Sequence, residues 1–176
     1  MLLFLEQKIL KHEKEIIIYT DGACLGNPGP GGYAAILSYQ GRKKEISGGY
    51  RMTTNNRMEI KAVIEALKAI KSPEKYKIKI FTDSRLIVNA FNLGWLEKWE
   101  TKGWFRKGSE KVQNSDLWKD LVKLANGLNL EINWVEGHSG ITENERCDKL
   151  SKEEASRSNL PPDINYEQEK GLQFFI

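Results

Sequence analysis

Four acidic residues stand where a predicted element ends or begins. Asp21 closes the run Glu15-Ile-Ile-Ile-Tyr-Thr-Asp21 before a glycine-rich loop, and Asp83 closes Phe-Thr-Asp83 just ahead of Ser84. Glu59 precedes Ile60 by one residue, about 100° round a helix, so it flanks an apolar stripe. Asp148 follows Arg146-Cys147 in the first turns of the last predicted helix. If the strands ending at Asp21 and Asp83 are parallel neighbours, those two carboxylates finish side by side. Carboxylates that converge with no Lys or Arg built into the cluster repel one another and hold raised pKa values. Divalent cations relieve that repulsion, and hard oxygen ligands with no Cys or His partner select Mg²⁺ or Mn²⁺ over zinc. Two such ions about 3.5–4 Å apart activate a water and stabilise the leaving oxygen of a phosphodiester. Position alone does not prove convergence. A lone strand-terminal Asp is more often a turn or cap residue, Glu59 alone is a helix-start carboxylate favoured by the dipole, and Asp148 alone is a surface acid. His138, in a Gly-His-Ser-Gly loop, reads by itself as an exposed loop histidine.

Alternating elements must position these groups. Residues 15–21 are β-branched enough for a strand buried on both faces, and residues 22–32 (GACLGNPGPGG) read as turn chemistry throughout. Strands at 33–39 and 43–50 are joined by a Gln40-Gly41-Arg42 hairpin turn. Ile60, Val63, Ile64, Leu67 and Ile70 then recur at helical spacing, with Thr53, Thr54 and Asn55 as candidate caps and Ser72-Pro73 as the stop. A strand at 77–82, a short helix capped by Ser84, a Trp-rich segment at 95–118 and a helix through Leu117, Leu121, Leu124 and Leu128 follow. A strand at 130–135 and a helix opening on the capping-box spacing Thr142-Glu-Asn-Glu145 complete the order β-β-β-α-β-α-α-β-α. That order predicts an α/β fold: a mixed five-stranded sheet, an antiparallel meander plus parallel strands, flanked by helices. Residues 15–156 form the expected domain, 1–14 a frayed lead-in, and 157–176 a loosely held polar tail ending in Phe-Phe-Ile176.

Composition bounds the function classes. A chain of 176 residues, 40% hydrophobic and 29% charged, excludes a disordered, collagenous or disulfide-scaffold protein. Lys and Arg exceed Asp and Glu by 27 to 24, which permits a polyanionic partner without demanding one. Cys24 and Cys147 form no CxxC pair, so neither a metal knuckle nor a secreted framework is indicated. The first residues, MLLFLEQK, are too short an apolar run for a signal-peptide core, and no run approaches the ~18 residues that span a bilayer. The cytoplasm is the expected location.

Five segments occur in one order: Tyr-Thr-Asp21-Gly with Gly-Asn27-Pro-Gly-Pro-Gly-Gly-Tyr; Thr-Thr54-Asn55-Asn56-Arg-Met-Glu59; Phe-Thr-Asp83-Ser; Trp-Val-Glu-Gly-His138-Ser-Gly; and Asn-Glu-Arg-Cys147-Asp148. Together with the Trp-rich insert they resemble type 1 ribonuclease H, more narrowly its bacterial ribonuclease HI branch, over about residues 15–156. The resemblance implies a ribonuclease H-like fold and endonucleolytic hydrolysis of the RNA strand of RNA–DNA hybrids, leaving 5′-phosphate and 3′-hydroxyl ends. It implies two Mg²⁺ ions, with Mn²⁺ as a substitute, held by Asp21, Glu59, Asp83 and Asp148. Asp21 would bridge both ions, Asp148 would help hold the one that activates water, and Glu59 with Asp83 the one at the leaving group. His138 would assist proton transfer or product release. Cys24, Asn27, Asn55, Asn56 and Glu59 would line the minor groove and read the RNA 2′-hydroxyl. The DNA strand would lie in a channel with Trp99 and Trp104 and a phosphate pocket involving Thr54 and Asn56.

Residues 95–118 resemble the family's basic protrusion, in which Lys98, Lys102, Arg106, Lys107 and Lys111 outnumber Glu100 and Glu110. Trp104 is the expected leading contact there, with Trp95, Trp99 and Trp118 as core anchors. Three departures from the family pattern stand out: Glu97, Glu100 and Thr101 make the handle less basic, Met52 takes a place often held by Arg, and Arg85 takes that of a Gln. A monomer with no membrane partner is the family expectation. A binding module that has lost catalysis and a DNA-cutting enzyme on the same fold are the competing classes. The first would have lost a carboxylate, whereas all four stand; the second lacks the Asn-Asn-Arg-Met-Glu element and the Trp-rich handle.

Overall fold

The computed structural model describes residues 14–171. Five strands form one sheet in the order β3-β2-β1-β4-β5, where β1 is Glu15–Cys24, β2 Gly29–Tyr39, β3 Arg42–Thr53, β4 Lys77–Thr82 and β5 Asn129–Trp134. The β1–β2 and β2–β3 pairs are antiparallel, and the β1–β4 and β4–β5 pairs parallel. Short turns suffice for the first two connections, whereas the parallel pairs need helical crossovers. Six helices lie among the described residues: α1 Asn55–Lys68, α2 Arg85–Asn92, α3 Trp95–Thr101, α4 Ser115–Ala125, α5 Thr142–Ala155 and α6 Ile164–Glu169.

Strand alternation divides the core between two faces. Ala35 and Leu37 of β2 point into the larger cluster with Ile16, Ile18, Ile60, Ile64, Ile80, Trp118 and Leu121, while Ala34 and Ile36 meet Cys147 and Leu150 of α5 on the other face. Each fully buried isoleucine here contributes about 1.5–3 kcal/mol by leaving water. Helix α1 lies against the larger cluster with more than the stripe its periodicity predicts. Arg57, Met58, Ala62 and Ala66 are buried as well as Ile60, Val63, Ile64 and Leu67, and Ile70 falls beyond the helix end.

Three expectations need correction. The segment 22–32 is not turn throughout, because Gly22 pairs with Tyr33, Ala23 with Gly32 and Cys24 with Gly31. Its glycines mark close approach: a Cβ on Gly22 would collide with the backbone of Met58 and Glu59. Thr142 caps nothing, since the helix enters through Ile141 with no side-chain cap.

Nor is the segment after Ser156 loosely held. The Arg51 amide donates to the Pro161 carbonyl (2.9 Å). Asp163 and Glu167 are 6% and 3% exposed. Asp163 accepts from Arg57 (2.7 Å) and Thr53 (2.7 Å), and Glu167 from Arg51 (2.8 Å). A polar stretch reads as solvated when its partners lie more than a hundred residues away in the chain. The frayed lead-in (residues 1–13) and the Phe-Phe-Ile end lie outside the described residues.

Candidate active site

The β1–β4 register runs to Thr20 opposite Thr82, so Asp21 and Asp83 are the next residues of two adjacent parallel strands. Both therefore reach the carboxyl-terminal rim of the sheet together, as their spacing predicts. Glu59 arrives from α1, whose backbone presses on Gly22 with no intervening side chain. Asp148 arrives from α5, where the Ser151 hydroxyl lies 3.0 Å from Asp21 Oδ2 and 2.9 Å from the Asp148 carbonyl oxygen. Four elements thus deliver four carboxylates to one rim.

Each carboxylate is anchored locally. Glu59 accepts from Asn55 Nδ2 (2.8 Å) and from the Ser84 hydroxyl. Ser84 does sit at the N-cap of α2, but its hydroxyl serves Glu59 instead of the helix. Lys152 Nζ lies 2.7 Å from Asp148 Oδ1, so one cation does reach the cluster, although its side chain is more than half exposed. Solvent screening keeps that pair weak. Over Asp83 lies the loop after β5, where a Cβ on Gly137 would come within 2.8 Å of Asp83 Oδ2. His138, exposed and at φ +56°, stands in this loop. It lies close enough for its charge to act on Asp83.

Burial dominates the electrostatics. Asp21, 8% exposed, is pushed up to about 6, first by loss of water and then by the Asp83 and Asp148 charges, against the Ser151 hydrogen bond. Glu59 is pushed up to about 7 by burial and by Asp21 and Asp83, although Ser84 and Asn55 stabilise its anion. Asp83 is raised by burial and by Asp148. Among the described residues no three His, Cys, Asp or Glu side chains stand close enough to form a finished metal cage. The donor set nonetheless fits a hard divalent cation: oxygen donors only, converging on one rim, two of them raised to about 6 and about 7 by burial first and then by the charge of neighbouring carboxylates.

The other expected residues divide. Asn27 Oδ1 accepts from the Asn55 amide (3.2 Å), tying the β1–β2 turn to the start of α1. The Cys24 thiol is 3.4 Å from the Gly29 carbonyl oxygen and 3.5 Å from that of Thr53. Thr54 caps α1, accepting from the Arg57 amide (3.4 Å). Thr54, Asn56 and Asn27 line one recess with Gln113, Asn114, Tyr166, Glu169 and Lys170. In the handle Lys102 is exposed, and Trp99 packs between Trp95 and Trp118 with ring centroids 5.9 and 5.7 Å away.

Trp104 is buried at 8% exposure and belongs to the core, contrary to its expected role as leading contact. Its amide donates to the Trp99 carbonyl (2.7 Å) and its carbonyl accepts from the Val112 amide (2.9 Å), which draws the ring inward. Phe105, 46% exposed, is the ring the handle presents.

Sequence reasoning missed Ser84 and Ser151 as carboxylate partners, and the recess residues beyond Thr54, Asn56 and Asn27. It also missed Arg57, which lies buried between Asp116 (2.8 Å) and Asp163 (2.7 Å). The signal for Arg57 was its place inside Asn-Asn-Arg-Met-Glu, where a charged residue directly precedes the buried face of a helix.

Residues 13–156 match the RNase H family model. The chain is 52% identical over 154 residues to a ribonuclease H of Syntrophus aciditrophicus, covering 88% of each chain. Among solved structures it is similar to LC9-RNase H1, a type 1 RNase H with the type 2 active-site motif, at 34% identity and a TM-score of 0.72, covering 81% of this chain and 72% of that one. It is also similar to LC11-RNase H1 in complex with an RNA/DNA hybrid, at 26% identity and a TM-score of 0.55, covering 78% of this chain and 94% of that one. A rim of four carboxylates on this sheet and relatives half identical over most of their length agree: the chain belongs to the RNase H family of nucleases.

Proposed function

We propose that this protein cuts the RNA strand of RNA–DNA hybrids internally, leaving 5′-phosphate and 3′-hydroxyl ends, and that Asp21, Glu59, Asp83 and Asp148 hold two divalent cations for the purpose. Mg²⁺ is the assigned ion, with Mn²⁺ as a substitute. The observation that carries this reading is the convergence of Asp21, Asp83 and Glu59 at one rim with their pKa values raised by burial and mutual repulsion. When bound, the cations supply a nucleophile drawn from water and charge neutralisation at the departing 3′-oxygen. Asp21, whose carboxyl feels those of Asp83, Asp148 and Glu59, would help hold both ions. Ser84 and Asn55 hold the Glu59 carboxylate in orientation, and Ser151 does the same for Asp21. Such supporting hydrogen bonds fix where ligand lone pairs point.

His138 moves protons at its imidazole from an exposed loop beside Asp83. It stands exposed and outside the carboxylate set, so its contribution is auxiliary. Cys24, Asn27, Asn55 and Asn56 surround the groove where a 2′-hydroxyl is read, and Trp99 with Lys102 supports the DNA strand. No base-edge reader is evident among the described residues, so cutting is expected at many sequences. The acting species is taken to be a monomer.

One labelled RNA strand tests the reading when presented hybridised to DNA, duplexed with RNA, and alone, each with Mg²⁺ and with EDTA. Cutting confined to the hybrid and abolished by EDTA supports it. Hybrid binding without cutting under Mg²⁺ or Mn²⁺ would leave a binding module and overturn it.

A further inference from the structure

Residues 157–170 lie beyond the span that matches the RNase H family model, yet three of them, Tyr166, Glu169 and Lys170, form one wall of a recess at the start of α1. This recess, about 290 Å³, is lined by Asn27 of the β1–β2 turn, Thr54 and Asn56 of α1, Gln113 and Asn114, and Tyr166, Glu169 and Lys170 at the end of α6. Amides, hydroxyls and one ammonium suit an anion of phosphate size. Two acids and two arginines set the position of α6. Asp163 is locked by Arg57, Glu167 by Arg51 (2.8 Å), and Asn165 Nδ2 donates to Asp116 (3.1 Å). Tyr166 is 7% exposed, with the Arg57 guanidinium 5.7 Å from its ring centroid. The helix is thus a rigid mount.

Charge decides what the recess takes. Among its described lining residues the acid is Glu169, half-exposed, with Lys111 3.5 Å from its carboxylate. The remaining charge is Lys170, exposed, with its ammonium 5.9 Å from the Tyr166 ring centroid. A cation over an aromatic face keeps its donors available for an anion.

The start of α1 separates the recess from the carboxylates. Asn55 donates to Glu59 and so faces the rim, whereas Asn56, turned about 100° on, faces the recess. A duplex lying across this helix start with one strand on the rim would bring its partner strand toward the recess.

On these grounds, and resting on the hybrid-cutting function proposed above, we infer that α6 delivers Lys170 as the cationic contact to a phosphate of the uncut DNA strand. The segment beyond the family span is therefore part of the substrate channel.

Equilibrium binding of a hybrid in EDTA, followed by fluorescence anisotropy across salt concentrations, tests it. Lys170→Ala should weaken binding about three- to tenfold at low salt. It should also flatten the log–log salt slope by about 0.7–0.9, the loss of one phosphate contact. Lys170→Arg should restore both, and Lys75→Ala, an exposed cation in the turn before β4, should change neither. One uncharged methylphosphonate, moved along the DNA strand, should at a single position weaken wild type and add nothing to Lys170→Ala. An unaltered slope in Lys170→Ala, or additivity at every position, overturns the assignment. A wild type that fails to cut the hybrid in Mg²⁺ overturns the functional reading beneath it. One that cuts while Lys170→Ala keeps the wild-type slope overturns the Lys170 contact alone.

Discussion

Two clusters of buried charge sit within one turn of α1 and are built on opposite principles. Arg57 faces Asp116 and Asp163, and every charge has a partner: burial works against Arg57 and Asp116, yet the paired hydrogen bonds raise Arg57 and hold Asp116 below the usual carboxylate range. Two residues on, Glu59 faces Asp21 and Asp83, and like charges meet with only hydroxyls and an amide between them. The first cluster fastens the segment after Ser156 to α1. The second is held in an unfavourable state by the packing around it, and on the proposed reading bound cations relieve that state. A buried acid with no counter-charge is a cost to folding that a binding site can recover.

The largest expected effect breaks the acidic cluster's use. Asp83→Asn should lower hybrid cleavage in Mg²⁺ by more than about a hundredfold, since even partners of metal ligands are worth tens-fold. Cleavage at a rate near wild type would remove Asp83 from the ligand set. Next comes the paired cluster. Arg57→Met leaves two acids buried without a cation and should destabilise the fold by about 3–5 kcal/mol, read by urea unfolding. A loss below about 1 kcal/mol would mean that α6 is not fastened through Arg57.

The pH dependences of the two clusters should have opposite sign. Asp116 is depressed in the fold, so its contribution is present above the unfolded value near 3.9 and is lost as pH falls through the lower folded value. Asp21 is raised to about 6, so it weakens the fold as pH rises from about 4 to 6, and the full penalty stands above that. Unfolding free energies of Asp116→Asn and Asp21→Asn against wild type, from pH 3 to 8 in EDTA, should therefore diverge in opposite directions. Parallel curves would erase the contrast. The smallest effect concerns His138→Ala, expected to slow turnover about tenfold while leaving cutting intact. Complete loss in a folded variant would make His138 indispensable instead of auxiliary.

The legibility of these regions differs for a physical reason. Asp21 and Asp83 were readable because each ends a β-branched run, and parallel neighbours must finish together. Glu59 and Asp148 could be placed on helices by period, but their convergence rested on family resemblance. The meander, the crossovers and the order of the strands follow from local pattern and short connections, whereas the helices at Trp95–Thr101 and Ile164–Glu169 were absent from the expected order. What escaped was everything carried by contacts distant along the chain. Arg57 and Asp163 are 106 residues apart, Ser151 and Asp21 130. Trp104 escaped because tryptophan reads equally as an interface ring or a core ring, and only the backbone bonds from Trp99 and Val112 decide it. The segment 22–32 misled because glycine marks both turns and tight strand–helix contact.

The central claim is that the rim is an uncompensated acidic cluster shaped for cations. Its most direct test is the unfolding free energy of wild type and Asp21→Asn at pH 8, in EDTA and in Mg²⁺. The account predicts that in EDTA the variant is the more stable by about 1–3 kcal/mol, the scale of a two-unit pKa shift. It also predicts that Mg²⁺ stabilises wild type and leaves the variant nearly unmoved. A variant less stable than wild type in EDTA, or equal stabilisation of both by Mg²⁺, would contradict it.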